Sequence, residues 1–207
     1  MHLTKIDRLH EWCRNDSTGD RSASASLLIA MSVVMLIGAR PTCPVVDDAA
    51  KQAAFPRTGP APIDQEVCFS PDEPCALKLI KFVQSAKKSI DMAIYDINLK
   101  GLVDELVAAS KRIPVRIIVD RTQSKGKRSL ARFLRKQKVP VHFGLQLGIM
   151  HNKFVIIDRK MVEVGSFNFT NHASKSNSEN QVYLASSLIV DRYVEKFECL
   201  WSGAKEK

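Results

Sequence analysis

An α/β fold, a mixed β-sheet flanked by helices, is predicted for residues 63–207 by two patterns and one contrast. From Ile63 onward, helical and strand-like hydrophobic periods alternate. The early strands are separated by whole amphipathic segments, as parallel crossovers require, whereas the late strands follow one another across short polar turns, as hairpins do. The N-terminal region shows neither pattern, so it is read apart from the domain.

Each element follows from its own stretch. "CALKLIKFVQSAKK" is amphipathic with helical spacing and precedes the strand-like "SIDMAIYDI". "GLVDELVAASKRI" places Leu102, Val103, Leu106, Val107 and Ile113 on roughly one helical face, and "VRIIVD" returns as a strand. "SKGKRSLARFLRKQK" predicts a basic helix with Leu130, Phe133 and Leu134 inward. Strands are then expected in "VPVHFG", "NKFVIID", "VEVGSFNF" and "NQVYLA". The chain closes on "SLIVDRYVEKFECLW", where Ile189, Tyr193, Val194, Phe197, Leu200 and Trp201 keep helical spacing.

Ahead of the domain, residues 1–40 form an arm whose Leu27–Ile37 run is apolar and uncharged, the core of a signal peptide or a signal anchor of near-minimal length. Residues 41–62 are rich in Pro and Ala and read as a linker. Export to the periplasm or beyond is expected, with membrane anchoring as the alternative if the segment is not cleaved. Cys68 and Cys75 bracket "FSPDEP", a turn-rich loop that a disulfide would close in an oxidising compartment. Zinc is the competing reading, but this pair lacks the two further ligands of a tetrahedral site. The chain of 207 residues is 45% hydrophobic, enough for one well-buried domain, and its net charge of +9 favours anionic partners. Charge alone does not choose between nucleic acid, a phospholipid surface and an acidic polymer. The run from Arg121 to Lys138 contains no acid and reads either as a solvated helix face or as a contact for a polyanion backbone.

The chemistry concentrates in one hairpin. In a strand, side chains alternate faces, so His151 and Lys153 share one face while Phe154 and Ile156 take the other. The same parity in "VEVGSFNFT" puts Ser166, Asn168 and Thr170 together, opposite Phe167 and Phe169, and Gly165 lets the backbone come close. A lone strand histidine is more often structural. An imidazole, an ammonium, a hydroxyl and an amide around one pocket instead suit a phosphodiester, with Lys153 and Asn168 on its non-bridging oxygens and His151 positioned to attack phosphorus.

These residues resemble a known family. "HNKFVIID" is similar to the H-x-K-x4-D signature of the phospholipase D superfamily. "GSFNFT" followed by "NSEN" resembles its small bacterial members with one motif per chain, the Nuc-type endonucleases, and the resemblance runs from about Val67 to Trp201. It implies a phospholipase D-like fold, with His151 as the nucleophile that forms a phosphohistidine, Lys153 and Asn168 as phosphate ligands, Ser166 as a pocket hydrogen-bonding group, and Glu179 as the carboxylate that orients the histidine. Asp158 has the opposite parity from His151 and is expected to make structural hydrogen bonds outside the pocket. One histidine cannot be nucleophile and leaving-group acid at once, and this chain has a single motif, so a homodimer with a shared pocket is expected. No cofactor and no metal are expected, because side chains supply the charge. The resulting reading is a metal-independent endonuclease on DNA or RNA. A phospholipase D acting on phosphatidyl lipids is the alternative enzyme, and a non-catalytic nucleic-acid-binding module is the alternative of another class.

Overall fold

The computed structural model describes residues 65–144 and 148–204. The arm, the linker and the apolar Leu27–Ile37 run lie outside the described residues, and no helix among those described is long and apolar enough to cross a membrane. In chain order the elements are β1 (Glu66–Ser70), α1 (Cys75–Gln84), β2 (Ile90–Ile94), α2 (Lys100–Ser110), β3 (Val115–Val119), α3 (Ala131–Lys136), β4 (Val141–Phe143), β5 (Lys153–Ile157), β6 (Met161–Gly165), α4 (Asn171–Lys175), β7 (Glu179–Leu184) and α5 (Ser187–Gly203).

They build one seven-stranded sheet in the order β1-β7-β6-β5-β2-β3-β4. β2, β3 and β4 run parallel through helical crossovers, while β5, β6, β7 and β1 pair antiparallel. This is the mixed α/β architecture predicted, with parallel strands early and hairpins late. β2 and β5 are central strands covered on both faces, which is why "IDMAI" and "KFVII" are buried throughout. On one face α1 and α2 pack Leu79, Val83, Leu102 and Leu106 over Met92, Ile94, Val155 and Ile157. On the other, α5 lays Val190, Phe197 and Leu200 over Ala93, Ile118, Phe154 and Ile156. α5 is also clasped by charge, because Arg116 bonds both the buried Asp91 and Glu198.

Three expectations need correction. The helix predicted over the basic segment shrinks to Ala131–Lys136, preceded by a single 3-10 turn at Gln123–Lys125. The Asp120 carboxylate takes the amides of Thr122 and Gln123 ahead of that turn, and Gly126, with ψ of 143°, ends it before α3 begins. Leu134 is still buried, but Phe133 is 41% exposed. The strand predicted to run through Phe169 stops at Gly165; the alternation outlasts it, since Phe167 and Phe169 are both buried, but Thr170 leaves the row to cap α4 through Ala173. On α5, Val190 turns inward where Ile189 was expected.

β1, which the periodicity did not mark, forms the sheet edge against β7. A disulfide joins its Cys68 to Cys75 at the start of α1, with Cα atoms 5.6 Å apart. Among the described residues the one cluster of three metal-ligand types is Cys68, Glu73 and Cys75, and its two sulfurs are bonded to each other.

Candidate active site

Because β5 is antiparallel to β2 and β6, and β6 to β7, the start of β5, the ends of β2 and β6 and the start of β7 meet at one edge of the sheet. His151 and Lys153 enter there. Lys153 pairs with Ile94, and the amide of Tyr95 donates to the Asn152 carbonyl at 3.0 Å, so the backbone on both sides of the histidine is fixed.

The imidazole of His151 is exposed, whereas Lys153 is only 9% exposed. Lys153 Nζ donates to the His151 carbonyl at 3.0 Å and lies 3.2 Å from His151 Nε2. An ammonium has only donors, so as a hydrogen bond this contact fits the tautomer with Nε2 unprotonated and the ring proton on Nδ1. In that tautomer the Nε2 lone pair lies beside a cation. Burial pulls the Lys153 ammonium below the usual lysine value, and the Glu179 carboxylate opposes that pull without cancelling it. Tyr95 walls the pair. Its ring meets the imidazole edge-on at 4.6 Å, and Lys153 Nζ stands 5.3 Å from its centroid.

β6 and β7 form the opposite wall. Ser166 Oγ donates to Glu179 Oε2 at 2.5 Å and accepts the Asn180 amide at 3.1 Å. Asn177 Nδ2 donates to Glu179 Oε1 at 2.8 Å. Within one chain, then, Glu179 is held by Ser166 and Asn177, and its influence reaches the pocket through the charge of Lys153; no hydrogen bond of this chain joins it to His151. Gly165 is where the two strands pinch: a Cβ there would lie 2.0 Å from the Asn180 carbonyl oxygen. Asn168 is half-buried between the two core phenylalanines, and its Oδ1 is enclosed without a hydrogen-bond partner.

Asp158 stands at the far end of β5. Its carboxylate accepts the amides of Lys87, Lys88 and Ser89 at 2.6–3.1 Å. Burial raises its carboxyl, but those amides outweigh the burial and hold it below the usual aspartate value. The structure therefore gathers His151, Lys153, Ser166 and Glu179 at one edge of the sheet and places Asp158 elsewhere.

Three contributors carried no sequence signal of their own. Tyr95 lies inside an apolar strand and reads as core. Asp120 looks like any strand-ending aspartate, yet its Oδ2 accepts the amide of Met150, the residue before His151, at 3.0 Å. Glu163, opposite Val155 and Tyr183, is 1% exposed with neither oxygen hydrogen-bonded. Burial pushes its carboxyl well above the usual glutamate value.

Known proteins resemble this chain in sequence and fold. The family profile described as "Cardiolipin synthase, PLD-like domain" matches residues 79–201. Over 131 residues the chain is 34% identical to a phospholipase D of Rickettsia prowazekii, covering 63% of this chain and 64% of that protein, so it spans somewhat less than two thirds of that relative's length. Over 143 residues it is 30% identical to the mitochondrial cardiolipin hydrolase of Xenopus laevis, covering 68% of each. The solved structure of Nuc, a phospholipase D family member from Salmonella typhimurium, superposes with a TM-score of 0.66 at 30% identity over 70% of this chain and 97% of that one. NucT from Helicobacter pylori gives 0.64 at 26% identity over 70% and 99%. With the profile spanning the chain from α1 to α5 and the histidine and lysine of the motif meeting at the sheet edge, the chain belongs to the phospholipase D superfamily.

Proposed function

We propose that the chain is a phosphodiesterase that cleaves DNA or RNA through a phosphohistidine on His151. The observation that carries this reading is the buried Lys153 ammonium 3.2 Å from Nε2 of an exposed imidazole. A diester phosphate entering the pocket accepts the Lys153 proton donor in place of Nε2, which frees that nitrogen's lone pair for attack. Nε2 bonds to phosphorus, the P–O bond to the leaving strand breaks, and the departing oxygen takes a proton from an acid. Water then attacks phosphorus, gives its proton to that same group, and releases His151. Lys153 and Asn168 act as phosphate ligands, and Glu179 with Ser166 and Asn177 forms the anionic wall that keeps Lys153 charged.

The acid is the His151 of a second copy, because one imidazole cannot attack and protonate together. Two chains would meet about a two-fold axis and share the pocket. In this reading side chains supply the charge stabilisation, so no metal is required. The nucleic-acid substrate is supported by the resemblance to Nuc-type endonucleases and by the excess of cations. Phospholipase activity is the second reading, favoured by relatives named phospholipase D and cardiolipin hydrolase. An intact His151 beside Lys153 argues against a purely binding module.

The test presents the purified protein, in EDTA, with oligonucleotides and with phosphatidylcholine and cardiolipin vesicles in parallel. Oligonucleotide cleavage alone is expected. Vesicle hydrolysis alone reassigns the substrate, and loss of all activity restored by magnesium overturns the metal-free chemistry. We also infer export, supported by the apolar Leu27–Ile37 run and the Cys68–Cys75 disulfide. Recovery in the cytoplasmic fraction with both thiols free would refute it.

A further inference from the structure

A second cationic surface borders the site on residues that the chemistry above does not use. β3 is parallel to β2, so its end emerges at the same sheet edge as Tyr95 and the start of β5. The chain that leaves it carries Arg121, Lys125, Lys127 and Arg128 with no acid through Lys138. Lys125, Lys127 and Arg128 are exposed, and no ion pair among the described residues engages them.

An untethered basic loop would be no more than solvated charge, but this one is fixed from several sides. Asp120, 3% exposed, accepts the amides of Thr122 and Gln123 on one oxygen and that of Met150, next to His151, on the other. Gln123 Nε2 donates to Asp96, the neighbour of Tyr95, at 3.1 Å. At its far end, the Leu130 amide donates to the Ile97 carbonyl at 2.9 Å. The loop is therefore anchored to the histidine strand and to the tyrosine loop at once. Only β2 separates β3 from β5, which puts the start of the loop about 10 Å across the sheet from the catalytic pair.

We propose that the loop Arg121–Arg128 binds the phosphodiester backbone of a nucleic-acid strand beside the scissile phosphate, with Lys125, Lys127 and Arg128 as its phosphate contacts. The proposal rests on the nucleic-acid reading of the site. Phosphatidylcholine places its one phosphate at Lys153 and has none left for a flanking contact, and cardiolipin has a single further one. A polymer carries further phosphates at fixed intervals, which cations held at fixed positions match.

The test compares wild type with a K125A/K127A/R128A variant on a single-stranded oligonucleotide and on bis(p-nitrophenyl) phosphate, which has no flanking phosphate. The substituted side chains are exposed, and folding is checked by thermal melting. For the variant, KM on the oligonucleotide is expected to rise about tenfold or more, and the slope of log affinity against log salt to shrink by about 0.7 for each cation removed. Turnover of the small diester should stay within about twofold. If wild type cleaves the oligonucleotide and the variant matches it in KM and salt slope, the loop is a solvated surface and the proposal fails alone. If wild type leaves the oligonucleotide intact but hydrolyses cardiolipin vesicles, the nucleic-acid reading fails and takes the proposal with it.

Discussion

His151 and Asp158 belong to one short motif, yet they stand at opposite ends of β5 in opposite conditions. At the histidine end an exposed imidazole faces a buried ammonium whose pKa is lowered. At the aspartate end the carboxylate accepts three backbone amides, and Asp158 and Arg159 turn the chain with φ of 55° and 54°. Unsatisfied groups make one end reactive; saturated ones make the other rigid. The rigid end also serves the reactive one. By fastening the end of β5 to the Lys87–Ser89 turn that leads into β2, Asp158 sets the register in which Lys153 lies opposite Ile94.

The largest break in this contrast is chemical. His151→Asn should lower turnover by at least ~10⁴-fold, the scale seen when a covalent nucleophile is removed, while stability stays within ~0.5 kcal/mol because the side chain is exposed. Mixing wild-type and His151→Asn chains until they exchange should reduce activity as the square of the wild-type fraction; a linear decline would mean that one chain suffices.

Lys153 comes next. Lys153→Ala should cost ~10²–10³ in kcat/KM, as the loss of a transition-state donor does. The wild-type pH profile sharpens the point. Because burial holds the folded-state pKa below the usual lysine value of ~10.4, the charged form, and with it activity, should decline at a pH below that value. A Lys153→Arg enzyme that retains activity should lose this alkaline limb. A wild-type limb at or above the ordinary value would refute the burial effect.

The smallest effect on chemistry belongs to the rigid end. Asp158→Ala should cost ~2–4 kcal/mol of stability, from lost amide bonds and from alanine at positive φ, while activity per folded molecule stays within about twofold. The folded carboxyl lies below its unfolded value, so the charge's contribution is complete above pH ~3.9 and is lost as pH falls through the folded-state value. Denaturation of both proteins across acid pH should therefore show the gap narrowing downward. A gap independent of pH would assign the loss to backbone strain alone.

What could be read in advance follows the same division. The period-two alternation of "HNKFVII" separates Lys153, Val155 and Ile157 from Phe154 and Ile156, and the two core layers take them accordingly. Asp158 was set apart on parity, but what separates it is the length of β5, beyond whose end it lies in a turn with φ of 55°. Hydropathy has no term for a side chain that captures backbone amides or for a glycine that ends a turn, so Asp120 and the break at Gly126 were missed. Nor does local pattern encode pairing between distant segments, which is how β1 comes to lie against β7 and how Glu179 finds Ser166. Tyr95 and Glu163 were hidden for a third reason: each occupies a strand position where an apolar residue would have read the same.

A mutational scan of this chain would return two kinds of zero at the sheet edge. Replacing His151 would silence a correctly assembled protein. Replacing Gly165 by anything larger would drive a methyl group into the Asn180 carbonyl, so β6 and β7 could not close and the wall bearing Ser166 and Glu179 would never form. Scored by activity, the two positions look alike. Scored by abundance, they separate, and glycine 165 falls among the residues that build the site without touching what passes through it.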